Sequence, residues 1–214
     1  MNQSLPQEPI KWFKNGMLEQ QVEWSKKEKE LLVLLAQADL LFLIAQLFAP
    51  PTAHLQEMLK IEIPDIKELL ESSNLPENLA EIYQQFRQQT QSLNFENWAT
   101  EYKLLFEKCP IHESDFIACD KGVLLADIAE LHREFGFKLS GKTQVDHLNA
   151  ELEFVAMLLV KQTHSAHNAS FDSAHLGKWL PTFCKRLTET STLPIYQHLA
   201  QLLLGTWTAI FIEV

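Results

Sequence analysis

A chain of 214 residues, 46% hydrophobic and 21% charged, has the make-up of a globular protein that buries its own core without staples. The net charge of −10 argues against a general nucleic-acid binder. Cysteines at 109, 119 and 184 form no disulfide framework and fit a reducing, cytoplasmic setting; scarce glycine and the lack of alternating runs argue against sheet.

Residues 1–24 read as a polar N-terminal arm in which Trp12, Phe13 and Trp24 are docking anchors, and residues 25–214 as a single all-helical domain. Ser25-Lys26-Lys27-Glu28 has capping-box spacing and opens a long helix to about Phe48, stopped by Pro50-Pro51. Leu31 to Ala49 is apolar at nearly the length of a membrane span, but Gln37, Asp39 and Gln46 interrupt it. An Asp at mid-membrane costs about 2.5–3.5 kcal/mol, so we read a central helix wrapped by others, without stable membrane insertion. The charged residues ahead of it do not suit a secretory signal.

Short helices are expected near 52–60 and 64–72, then one from Pro76 to about Leu93 with Leu79, Ile82, Tyr83 and Phe86 on one side. Asn94 suits an N-cap, and Phe95, Trp98, Tyr102, Leu105 and Phe106 form an aromatic stripe that ends at Cys109-Pro110. Residues 109–119 read as a loop, Asp120 as the cap of a helix to about Phe135, and Gly136 as its left-handed exit. A helix over about 143–161 carries Leu148, Leu152, Val155 and Leu159 on one stripe. Residues 162–175 are loop-like. The stripe Leu176, Trp179, Leu180, Phe183 and Leu187 runs across Pro181, which is expected to kink or divide that helix, and Pro194 starts a last helix to about Ile212. The sum is an all-α single bundle of eight to ten helices.

Three clusters invite chemistry. Gly136 to Thr143 fits the phosphate-loop pattern letter for letter, ending in Gly141, Lys142 and Thr143. A helix precedes it where that loop needs a strand, so a small helical protein binding a guanine or adenine nucleotide (GTP or ATP) is kept only as the alternative reading. His112, His164, His167 and His175 with Cys109 and Cys184 match no zinc spacing and read as polar loop histidines and inert thiols; no metal site is expected. Asp146, His147 and Glu151 crowd one helix start. His147 and Glu151 are four apart, and a carboxylate beside an imidazole raises its pKa, keeping the cation accessible near neutral pH.

Four segments together resemble the cytoplasmic TorD/DmsD/NarJ-type chaperones of molybdenum-cofactor enzymes. They are Leu40 to Pro51 (LLFLIAQLFAPP), Glu101 to Phe106 (EYKLLF) followed by Pro110 to Ser114 (PIHES), Asp146 to Phe154 (DHLNAELEF), and His175-Leu176 with Trp179 and later Pro194-Ile195-Tyr196. Val145 stands where the family usually has Pro, His112 where an aromatic is common, and Phe135 only partly matches an aromatic near that helix exit. The resemblance implies a cytoplasmic helical chaperone rather than an enzyme, monomeric or dimeric, whose partner is a molybdoenzyme catalytic-subunit precursor. It implies capture of the precursor's twin-arginine signal at Tyr102, Leu105, Phe106, Pro110, His112, Asp146 and His147. Asp146 would pair with an arginine, His147 would orient the peptide with support from Glu151, and Tyr102, Leu105 and Phe106 would take the hydrophobic region.

Overall fold

The computed structural model describes residues 26–60, 72–73, 75–137, 144–160 and 174–212, with the side chains of 26–29, 58 and 60 left aside. Within them lie eight α-helices: α1 (Lys26–Leu47), α2 (Ala53–Lys60), α3 (Asn78–Ser92), α4 (Phe95–Lys108), α5 (Lys121–Glu134), α6 (Leu148–Val160), α7 (Leu176–Thr190) and α8 (Pro194–Phe211). A 3₁₀ turn, Glu113–Asp115, sits between α4 and α5. The arm at 1–24, the capping box at Ser25, the helix expected near 64–72, the loop histidines His164 and His167, and Gly141, Lys142 and Thr143 lie outside the described residues.

Two apolar helices form the centre. α1 packs along α6, and α8 lies against α3, α7 and α1. The second half of α1 is enclosed, with Leu40, Leu41, Ile44, Ala45 and Phe48 all buried, whereas Leu31 to Leu35 are only half-buried. Glu30–Leu47 is long and apolar enough to cross a membrane by length and composition; here its buried face meets protein. α6 is the more completely wrapped of the two. The predicted stripe Leu148, Leu152, Val155 and Leu159 is buried, and so are Ala150, Glu151, Phe154, Ala156 and Leu158.

The helix ends are stitched by donors from other helices. A helix leaves its last carbonyls without intrahelical partners. The carbonyl of Leu59 near the end of α2 accepts from Arg87 Nε (3.0 Å) and Gln91 Nε2 (2.9 Å) of α3, and that of Leu93 accepts from Gln56 Nε2 (3.0 Å) of α2. The hydroxyl of Tyr102 donates to the Phe48 carbonyl just past α1 (3.2 Å), and Arg186 Nη2 donates to the Lys108 carbonyl at the end of α4 (2.6 Å). At the other ends, Asn94 Oδ1 accepts from the N–H groups of Glu96 (2.9 Å) and Asn97 (3.3 Å), and Asp120 caps α5 through Val123 N–H. Asn94→Ala is therefore expected to cost about 1 kcal/mol, read as a melting point lower by about 2–4 °C in calorimetry. Gly136 leaves α5 with φ at 75°, and Phe137 N–H closes the turn on the His132 carbonyl (2.8 Å).

Two expectations are corrected. α6 starts at Leu148 rather than near 143, because residues 144–147 turn and pair with the loop after α4 instead of continuing a helix. α7 is one helix across Pro181. Pro181 lies on its exposed face and removes a single backbone donor, which the buried Leu176, Trp179, Leu180, Phe183 and Leu187 stripe outweighs.

Candidate functional site

The loop after α4 is held against the start of α6 by a two-residue antiparallel bridge between His112 and His147. Glu113 N–H donates to the Asp146 carbonyl (2.9 Å), and Leu148 N–H donates to the Ile111 carbonyl (3.0 Å). Phe116 anchors the far side of the loop on α7, 5.3 Å from Trp179 and 5.9 Å from Phe183 between ring centres, with the Arg186 guanidinium 6.0 Å from its own ring centre. This junction brings together segments far apart in the chain: PIHES, DHLNAELEF and the His175/Trp179 pair.

The bridge sets the state of its histidines. His147 occupies the N-cap of α6, where its Nδ1 accepts the Asn149 N–H (3.2 Å). An accepting Nδ1 places the ring proton on Nε2 and makes the imidazole neutral. Burial and then the neighbouring His112 hold its pKa down at about 4, against the pull of Asp146. The expectation of a cation kept by Glu151 is thus overturned, because Glu151 turns inward. His112 stands edge-on to His147 at 5.0 Å, and its Nδ1 meets Asp146 Oδ1 at 3.2 Å. The Asp146 carboxylate is fully buried. Burial alone would raise it, but hydrogen bonds from His112 and Ser114 and the charge of His112 outweigh that and hold it at about 2. In this arrangement Asp146 faces His112 rather than solvent.

Beneath the bridge Glu113, Glu151, His175 and Trp179 form a buried layer, with Asp127 at its exposed edge. His175 Nδ1–H donates to Glu113 Oε1 (3.1 Å), Trp179 Nε1–H donates to Glu151 Oε2 (3.1 Å), and the exposed Asp127 of α5 stands 3.7 Å from His175 Nε2. The expectation that His175 is a polar loop histidine is corrected: it is 2% exposed and holds a buried carboxylate. The signal was present in the chain, since His175 and Trp179 are four apart and so share a helical face. Among the described residues no group of three or more His, Cys, Asp or Glu side chains is placed to hold a metal ion.

The aromatic stripe of α4 divides by depth. Trp98 and Leu105 are buried, with Trp98 Nε1–H donating to the Tyr196 hydroxyl (3.0 Å). Tyr102 and Phe106 are half-buried, 4.6 Å apart, and Phe106 meets Tyr196 edge-on at 5.8 Å. Burial pushes the Tyr102 phenol up to about 12, so it remains a donor to the Phe48 carbonyl. Of the expected site residues, Tyr102, Phe106, Pro110, His112 and His147 are partly accessible, whereas Leu105, Asp146 and Glu151 are buried. Gly136 follows helix α5, the context in which a phosphate loop lacks its strand.

The model of the family described as nitrate reductase delta subunit matches residues 72–185, more than half of the chain. This chain belongs to the TorD/NarJ chaperone family. The matched stretch contains α3 to α5, the whole bridge, α6 and Trp179. The chaperone protein TorD of Vibrio cholerae serotype O1 is 32% identical over 102 residues, 40% of this chain and 46% of the relative. The alignment thus spans less than half of that relative's length. The TorD/NarJ family is one of chaperones, not of enzymes.

Proposed function

We propose that this protein is a maturation chaperone for a redox enzyme and that it captures the twin-arginine signal of a molybdoenzyme precursor in the cytoplasm, holding the precursor for cofactor insertion before export. The observation that carries this reading is the family match across residues 72–185, which includes every residue of the bridge. The accessible groups offer suitable chemistry. Tyr102, Phe106 and Pro110 present partly accessible apolar surface for the hydrophobic run of a signal, and His147 offers a neutral Nε2–H donor. Asp146 is the anion beside His112. An incoming guanidinium displaces His112 and takes two oxygens in a fork that an ammonium cannot match. Leu105 and Glu151 act from below, by packing and by anchoring α6.

Isothermal calorimetry with a twin-arginine signal peptide tests this directly. Binding is expected to weaken about tenfold or more in Asp146→Ala, to weaken with rising salt as charges are screened, and to fall when both arginines become lysines. Unchanged affinity in both Asp146→Ala and His147→Ala proteins removes the site assignment.

A further inference from the structure

The buried layer beneath the bridge contains two carboxyl groups, four oxygens in all, and the geometry supplies donors for two of them. Glu113 and Glu151 are both fully buried. His175 serves Glu113 Oε1 and Trp179 serves Glu151 Oε2. The remaining oxygens, Glu113 Oε2 and Glu151 Oε1, have no protein donor among the described residues, yet the two side chains lie within hydrogen-bonding reach of each other. Two buried carboxyl groups in contact resist both carrying charge; one proton between them turns the repulsion into a hydrogen bond.

We infer that Glu113 and Glu151 share a single proton, and that this proton-bridged pair is the positioning element that keeps the His112–His147 bridge closed. The proton sits on Glu151 Oε1 and is donated to Glu113 Oε2. Burial first, and then the charge of Glu113, push the Glu151 carboxyl well above its ordinary range. The link to the bridge is covalent, because the backbone N–H of Glu113 is one of its two hydrogen bonds. When the shared proton leaves, the two carboxylates repel, the Glu113 side chain is driven from α6, and its backbone goes with it. A carboxyl raised in the folded state contributes stability that is complete below its unfolded pKa and is lost as pH rises toward its folded value. The clasp is therefore fully secured only below the ordinary glutamate range and loosens progressively as pH rises above it, levelling off once the closed pair has itself deprotonated. The ionisable groups around it are His112 on the loop, Asp146 and His147 before α6, Asp127 and His132 on α5, and His175 before α7. Glutamine variants leave all six in place, so a pH response that vanishes in them belongs to the pair.

Hydrogen exchange at the Glu113 and Leu148 amides, followed by NMR between pH 6 and 9 and corrected for intrinsic rates, reads the bridge itself. In the wild-type protein the opening constant is expected to rise with pH, by up to about tenfold per pH unit as long as the closed pair keeps its proton, and to level off where the pair deprotonates. In Glu151→Gln the amide supplies the donor permanently and keeps an acceptor for Trp179, so the rise disappears and the melting point at pH 8 equals or exceeds wild type. Glu113→Gln behaves alike, and Glu151→Ala does not restore the closed bridge. Infrared spectra of the wild-type protein at pH 7, with and without ¹³C-glutamate, are expected to contain the carbonyl band of a buried protonated carboxylic acid; this reading needs no variant to fold. Absence of that band, or an equal alkaline rise in both Gln variants, overturns the proposal. Peptide affinity across the same pH series rests on the chaperone reading: if the amides respond and affinity does not, the binding face is wrong while the clasp stands.

Discussion

Trp179→Ala is expected to lose about 3–5 kcal/mol of folding stability, the largest loss of any single substitution at the site, read as a shift of the urea midpoint. Three things go together. The indole is 1% exposed, so truncation leaves a cavity between α6, α7 and the loop. Its ring contacts with Phe116 (5.3 Å) and Phe183 (5.4 Å) are lost, and with them the hold on the loop. Glu151 Oε2 is left buried without its donor. Trp179→Phe separates these effects: it retains most of the packing and removes only the N–H, for an expected cost of about 1–3 kcal/mol. A Phe variant as stable as wild type shows that the indole N–H contributes nothing and that packing alone fixes the helix.

The second large effect concerns acid. Asp146 is held at about 2, below its ordinary 3.8, by His112 and Ser114. A carboxyl lowered in the folded state contributes stability that is present above its unfolded pKa and is lost as pH falls through the folded value. Wild type is therefore expected to lose about 2 kcal/mol between roughly pH 5 and pH 1 from this group alone. Asp146→Asn, lacking the charge, is expected to be less stable at pH 7 by about that amount and to show a correspondingly shallower acid limb in denaturant titrations. If the two proteins lose stability in parallel down to pH 2, the His112–Asp146 pair is not what secures the loop. This acid limb is opposite in sign to the alkaline loosening of the Glu113–Glu151 pair, so the two mechanisms separate on one pH axis.

How much of this was legible in the chain follows from the range of each interaction. Helices set by local signals were readable: the Asn94 and Asp120 caps, the Gly136 exit and the Leu148 stripe are each decided within a few residues. What escaped was tertiary. The register of a two-residue bridge between positions 112 and 147 has no periodic signature, so the start of α6 was placed too early. Side-chain pairing misled for the same reason. His147 and Glu151 share a face by spacing, yet His147 spends its Nδ1 on the helix N-terminus, while Glu151 turns toward Trp179 from another helix. His175 looked solvent-facing because its neighbours in sequence are polar; its neighbours in space are Glu113 and the core. The resemblance to TorD/NarJ-type chaperones had marked Glu113, Glu151, His175 and Trp179 within its quoted segments, but only coordinates reveal that they form one layer.

The position of α5 carries a last consequence. The helix buries three side chains, Leu124, Ile128 and His132, neighbours the Glu113–Asp115 turn, and meets α6 of the central pair through the rings of His132 and Phe154, stacked 4.1 Å apart. The bridge joins the chain just before and just after it. α5 is therefore held at its base by two backbone hydrogen bonds and on its inner face by that ring stack. Opening the bridge leaves the His132–Phe154 stack as the hold on α6, so α5 is expected to detach only when both are lost, at less cost than melting the bundle.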